Sequence, residues 1–164
     1  QRFERAFISF EFNDRPLPPQ IWLRAEFYLG SGNISRIIDN ISFTDRFMEQ
    51  GILASVVDSG AALRSFNIDG DLGLTRDVTG IEPPRQEWVC MEMFSSTSSN
   101  SMQQTEIYWN SRLRASHDYS VGHLDGLRIN VGIIGRFEGR NKNIPRGIFV
   151  DDVRISSERE PCDL

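Results

Sequence analysis

Two adjacent carboxylates stand in the middle of an otherwise apolar run, Gly147-Ile148-Phe149-Val150-Asp151-Asp152-Val153-Arg154-Ile155. Burying an unpaired charge is costly, so at least one of them must meet a cation, a hydrogen-bond network or solvent. An oxygen-only calcium site with Asp151 as ligand is one expectation; Asp152 as the ligand, or both bonded to backbone, are the others. Glu26 and Glu92 are the two carboxylates that strand alternation allows to face each other. As a general acid/base pair they need poor solvation and a shared substrate; the alternative is a salt bridge from each to a neighbouring arginine. His117, Asp118, Tyr119 and His123 cluster in what reads as a loop over 115–124. In a lyase, a histidine or tyrosine of this loop would act as base while Arg24 or Arg128 neutralised a uronate carboxylate. The plainer reading is a polar surface loop. Asn67-Ile68-Asp69-Gly70-Asp71 spaces oxygen ligands as a calcium loop does, yet lacks the glycine and glutamate that complete the helix-loop-helix pattern. It reads better as a hairpin turn.

The elements that must position these groups follow a period of two. In Ile21-Trp22-Leu23-Arg24-Ala25-Glu26-Phe27-Tyr28-Leu29 the odd positions are apolar and the even ones are Trp, Arg, Glu and Tyr. Side chains alternate faces along a strand, so one face enters a core and the other carries an aromatic-polar row. Further strands are expected over 3–12, 35–43, 52–57, 63–68, 87–94, 106–109, 127–134 and 147–155. Asp69-Gly70 supplies a two-residue hairpin turn and Asp125-Gly126 precedes the strand at Leu127. Prolines 16, 18 and 19 break the chain after the first strand, while 95–101 and 141–145 read as loops. Only 44–50 looks helical. Many short strands between turn signals indicate an antiparallel β-sandwich or barrel, and no composition break divides residues 1–164 into two domains.

A chain of 164 residues with 39% apolar and 10% aromatic content is large enough to bury a core. Its net charge of −5 argues against a general nucleic-acid binder. No apolar run approaches a membrane span, so no membrane insertion is expected. Of the 18 Lys and Arg only Lys142 is lysine, and arginine suits planar, bidentate recognition of carboxylate or sulfate. Beginning at Gln1 and reading as strand almost at once, the chain suggests a mature secreted protein or a domain excised from a longer one. Cys90 and Cys162 either pin the tail to the sandwich as a disulfide or remain a buried and an exposed thiol. Asn33-Ile34-Ser35 and Asn40-Ile41-Ser42 match the glycosylation sequon.

Several blocks carry a resemblance in chain order. Trp22 to Leu29 resembles the early strand of concanavalin A-like lectin/glucanase jelly rolls. Glu87-Trp88-Val89-Cys90-Met91-Glu92 is similar to their central strand, and Glu106-Ile107-Tyr108-Trp109-Asn110 to a short strand ending in a turn. Val150-Asp151-Asp152-Val153-Arg154-Ile155 resembles the last strand of laminarinase-type members, whose Asp helps hold a structural calcium; here Asp152 replaces the expected aromatic. The same run resembles the closing strand of smaller jelly-roll carbohydrate-binding modules. The Glu-x-Asp-x-x-Glu motif of the hydrolases is missing from this sequence, and retaining hydrolysis needs such paired carboxylates. Of the alginate-lyase motifs only the fragment Arg24-Ala25-Glu26 matches.

The resemblance implies sugar binding on a concave sheet face by Trp22, Arg24, Glu26, Tyr28, Glu92, Tyr108, Asn110, Arg128 and Asn130, with Trp88 packed in the core. Aromatic faces for stacking and fixed polar groups for hydroxyls are what sugar recognition needs; a solvated sheet face with cross-strand charge pairs is the alternative. The expectation is a non-catalytic, extracytoplasmic glycan-binding β-sandwich, with calcium as its cofactor. Its partners would be a polysaccharide and the other domains of a larger surface protein or polysaccharide-acting enzyme. A polysaccharide lyase and a structural domain of a surface assembly are the rival expectations.

Overall fold

The computed structural model describes residues 6–12, 17–31, 37–57, 60–76, 84–99, 101–118, 121, 122, 124, 126–136 and 148–162. Among these, eleven strands form two antiparallel sheets. The first sheet, in spatial order, holds β1 (Ala6–Phe12), β10 (Leu127–Arg136), β3 (Ile37–Thr44), β4 (Gly51–Val57), β5 (Gly60–Asn67) and β6 (Gly70–Arg76). The second holds β11 (Ile148–Ser156), β2 (Gln20–Leu29), β7 (Trp88–Ser98), β8 (Ser101–Trp109) and β9 (Arg112–His117). The architecture is the all-β sandwich that the strand pattern indicates.

The core lies between the sheets and follows from alternation. Ile21, Leu23, Ala25, Phe27 and Leu29 of β2 are buried, and the residues between them are only partly so. They pack with Val89, Met91 and Met93 of β7 and with Ile41, Phe43, Ile52, Ala54, Val56 and Leu63 of the opposite sheet. Full burial of each large side chain contributes roughly 1.5–3 kcal/mol, so the inward faces fix the register and thereby what each strand turns outward.

Several expectations are corrected. Residues 44–50 are not helical: after β3 the chain turns, Asp45 Oδ1 accepts the Glu49 N–H at 2.8 Å, and Met48 adopts φ 60°. A side chain that captures backbone N–H groups and a left-handed residue both interrupt a helical turn. The β5–β6 turn is centred on Ile68-Asp69, because Asn67 pairs with Gly70 and its Oδ1 accepts the Asp69 N–H at 2.9 Å. Strands β6 and β9 were not expected. Nor was 95–101 a loop, since β7 runs on to Ser98 and β8 starts at Ser101. Trp88 is 48% exposed rather than core, because the β7 residues facing inward are Val89, Met91 and Met93.

Candidate functional site

The aromatic-polar row of β2 faces away from the core on the five-stranded sheet. Register places Trp88, Cys90, Glu92 and Phe94 of β7 opposite Tyr28, Glu26, Arg24 and Trp22. Strand β8 sets Tyr108 beside Glu92 and Glu106 beside Phe94. On the other side β11 sets Phe149 against Tyr28 and Asp151 against Glu26. Seven of the expected residues (Trp22, Arg24, Glu26, Tyr28, Glu92, Tyr108 and Asn110) therefore gather on or beside one face.

The middle of that face is covered by the chain's own segment 157–162. A disulfide joins Cys162 to Cys90, with Cα atoms 6.0 Å apart. Gln20 Nε2 donates to the Ser157 carbonyl at 2.8 Å, and Arg24 donates to the Pro161 carbonyl at 3.3 Å. Glu92, only 1% exposed, is the anchor. Its carboxylate accepts from Arg159 Nε at 2.7 Å and from Ser111 Oγ at 3.2 Å. The Arg159 guanidinium lies 4.4 Å from the Tyr108 ring centre and 5.3 Å from that of Trp22, within cation–π range of both. The hydrogen bond to Glu92 holds the Arg159 pKa above its ordinary value. Burial, then the bond from its hydroxyl to the Glu106 carboxylate, pushes Tyr108 up to about 12. Glu26 lies 3.5 Å from Arg24. Each glutamate thus has its own arginine, the salt-bridged alternative rather than an acid/base pair. Asn110 is a clip at the β8–β9 turn: its Oδ1 accepts the Cys90 N–H at 3.0 Å, and its own N–H donates to the Cys90 carbonyl at 2.8 Å.

The paired aspartates sit at a bulge in β11. Asp151 is exposed and its Oδ1 accepts the N–H of Asp152 at 2.8 Å. The Asp152 carboxylate faces Arg154 at 3.0 Å and Arg24 at 3.4 Å. That gathers guanidinium groups around Asp152, and among the described residues no group of three His, Cys, Asp or Glu side chains comes together to hold a metal.

Arg128 and Asn130 are corrected to the other sheet, since β10 pairs with β1 and β3. Here the outward side carries a second polar constellation. Asn130 and Ser42 are neighbours in register, and Asn130 Nδ2 donates to Ser42 Oγ at 2.9 Å. A bulge at Asp39–Ile41 turns both Asp39 and Asn40 off the core face. Asp39 accepts from Ser55 Oγ at 2.5 Å and from Arg64 at 3.2 Å, and Asn40 Nδ2 donates to the Gly132 carbonyl at 3.4 Å. Arg128 pairs with Glu11 at the edge. The floor residues Asp39, Asn40, Ser42, Ser55 and Asn130 are buried, whereas the side chains of Arg64, Arg128 and Glu11 remain part-exposed around them. On this face, among the described residues, three buried atoms have no hydrogen-bond partner: Oδ1 of Asn40, Oδ1 of Asn130 and Nε of Arg128. Burying such groups unpaired is unfavourable, and native structures keep few of them.

His117 is corrected from loop to core. It ends β9, is 2% exposed, and its Nε2 lies 2.9 Å from Ser65 Oγ. Burial lowers its pKa. Asp118 is exposed, and Tyr119 and His123 lie outside the described residues. Of the two sequons, Asn40 is buried and Asn33 lies outside the described residues.

Sequence reasoning missed Asp39, Asn40, Ser42, Ser55 and Arg64. The signal existed: Asn40-Ile41-Ser42-Phe43-Thr44 alternates polar and apolar as clearly as β2 does, and Arg128-Ile129-Asn130-Val131 repeats it. What the alternation could not supply was that β3 and β10 are neighbours. A groove of about 460 Å³ between the sheets, walled by Phe12, Leu17, Ile21, Leu127, Ile129 and Ile155, is mainly apolar and lacks this convergence of polar groups.

No protein-family model and no curated protein matches the chain. Solved structures do. The endo-β-1,4-glucuronan lyase of the fungus Trichoderma reesei is 10% identical with a TM-score of 0.64, covering 94% of this chain and 76% of its own. The cellulose-induced protein Cip1 is 15% identical with a TM-score of 0.58, covering 88% and 71%. The galectin LEC-6 of Caenorhabditis elegans is 13% identical with a TM-score of 0.54, covering 90% and 95%. At such identities the likeness is one of fold: the chain has the concanavalin A-like jelly-roll fold.

Proposed function

We propose that this protein binds a polysaccharide across the outer side of the six-stranded sheet, as a lectin-like module rather than a hydrolase. The observation that carries this reading is the convergence there of amide, hydroxyl and carboxylate groups from neighbouring strands, ringed by the part-exposed side chains of Arg64, Arg128 and Glu11. A sugar hydroxyl is donor and acceptor at once, so it can bond the guanidinium and carboxylate groups of this rim alike. Arg64 and Arg128 stand at the rim paired with Asp39 and Glu11, so charged donors and acceptors for densely hydroxylated glycans lie side by side. Fixed polar groups on rigid strands suit such binding because little ordering is needed when the ligand arrives. A galectin and a glucuronan lyase on the same fold support a saccharide as the ligand. The disulfide supports an extracytoplasmic setting, where such bonds persist. The lyase alternative loses its base at His117, which is packed in the core.

The test is calorimetric titration of the protein with neutral and acidic polysaccharides, repeated on Arg128→Ala and Asn40→Ala after confirming unchanged melting. Hydrogen bonds to a charged donor are worth roughly 1.5–3 kcal/mol, so Arg128→Ala is expected to weaken binding about 10- to 100-fold. Unaltered affinity in both folded variants would remove this face from consideration.

A further inference from the structure

Segment 157–162 covers the central rows of the five-stranded sheet but leaves one row bare. Phe149, Tyr28 and Trp88 stand side by side across three strands, in register through the Phe149–Tyr28 and Tyr28–Trp88 pairs. Successive ring centres are 6.0 and 5.7 Å apart, with the Tyr28 ring inclined at 62° to Phe149 and 58° to Trp88, so each outer ring presents its own face. Phe149 is 58% exposed and Trp88 48%. Scattered exposed aromatics are ordinary, but a contiguous row of them marks a binding surface. The next row on the same face carries the carboxylates of Asp151 and Glu26.

We propose that Phe149, Tyr28 and Trp88 form a second saccharide platform, distinct from the six-stranded face, which stacks a neutral glycan chain. Area decides against a protein partner. Each aromatic side chain supplies roughly 150–250 Å² when fully exposed, so Phe149 and Trp88 at about half exposure, with the more buried Tyr28 between them, offer roughly 250 Å². A stable protein interface needs about 800 Å² per partner. A pyranose ring fits the smaller patch, and the ring-to-ring spacing is close to the length of one sugar unit. The electron-rich ring faces attract the C–H edges of a pyranose. Asp151 and Glu26 then lie where hydroxyls beside the ring can donate to them, and their charge disfavours an acidic chain.

Of the three tryptophans, Trp88 is the exposed one and Trp109 is buried, so intrinsic fluorescence reports on this row. The full chain would be titrated with cellohexaose, xylohexaose and mannohexaose while emission wavelength and acrylamide quenching are followed. A blue shift with protection from quenching is expected with at least one of them. Trp88→Ala and Phe149→Ala, both at exposed positions, should weaken binding about tenfold or more, whereas Arg128→Ala should leave it intact; the three variants are compared by calorimetric titration, because Trp88→Ala removes the fluorescent reporter. Binding lost in Arg128→Ala but kept in Trp88→Ala would overturn the platform and leave the six-stranded face standing. No response to any of the three hexaoses overturns the platform as well. So does self-association that Trp88→Ala abolishes, which would make the row a protein contact.

Discussion

Removing the Cys90–Cys162 bond should destabilise the sandwich through the unfolded chain far more than through the folded one. The bond closes a loop of sequence separation 72. In the chain-entropy account such a closure is worth about 4 kcal/mol at 25 °C. A domain of this size shifts its melting point by about 2–4 °C per kcal/mol, so Cys90→Ala/Cys162→Ala should melt about 8–16 °C lower. The folded variant still has Glu92, Arg159, Ser111 and Gln20 to hold segment 157–162, because those contacts are not covalent. The signature of an unfolded-state effect is the denaturant slope. Freed of its cross-link, the denatured chain expands and exposes more surface, so the urea m-value should rise. Arg159→Ala is the comparison: it keeps the loop closed, strips the buried Glu92 carboxylate of its cation, and should lower stability with m unchanged. Urea unfolding of the three proteins, with the wild type also measured in excess reductant, reads all of this. A melting shift below about 3 °C in the cysteine-free protein, or an unchanged m-value, would refute the loop-closure reasoning.

Two pH dependences follow from burial. Tyr108 is held at about 12 in the folded state against 10 unfolded, so its contribution is complete below pH 10 and is lost as the pH climbs toward 12. Phenolate absorbance near 295 nm should show one tyrosine ionising late, and Tyr108→Phe should flatten the alkaline fall in stability. His117 has its pKa lowered by burial, so its neutral form stabilises the fold above pH 6.5 and that contribution is lost as the pH falls below this value. Urea midpoints measured from pH 7.5 down to 5 should decline, less steeply in His117→Gln; an identical decline in that variant would assign the acid sensitivity elsewhere.

The sequence by itself determined the two-layer β class and the direction of most side chains. Alternation along 21–29 is a covalent consequence of strand geometry, and burying its apolar half is favourable in any sandwich. That is why Trp22, Arg24, Glu26 and Tyr28 emerge together on one face, as expected. Only the tertiary structure decided which strands are neighbours. Arg128 and Asn130 have the same alternating pattern as β2, yet β10 pairs with β1 and β3, and their partners became Glu11, Ser42 and Thr44. Local periodicity has no information about such pairings, because they form between residues more than 80 positions apart. The same holds for coverage. Glu92 reads as an outward residue, but a disulfide and Arg159 from the far end of the chain bury it. His117 reads as a loop residue, but β9 closes against β8 and brings it to Ser65 of the opposite sheet. Sequence sets what each strand presents; long-range pairing, whose loop-closure cost only the assembled core offsets, sets what each presented group meets.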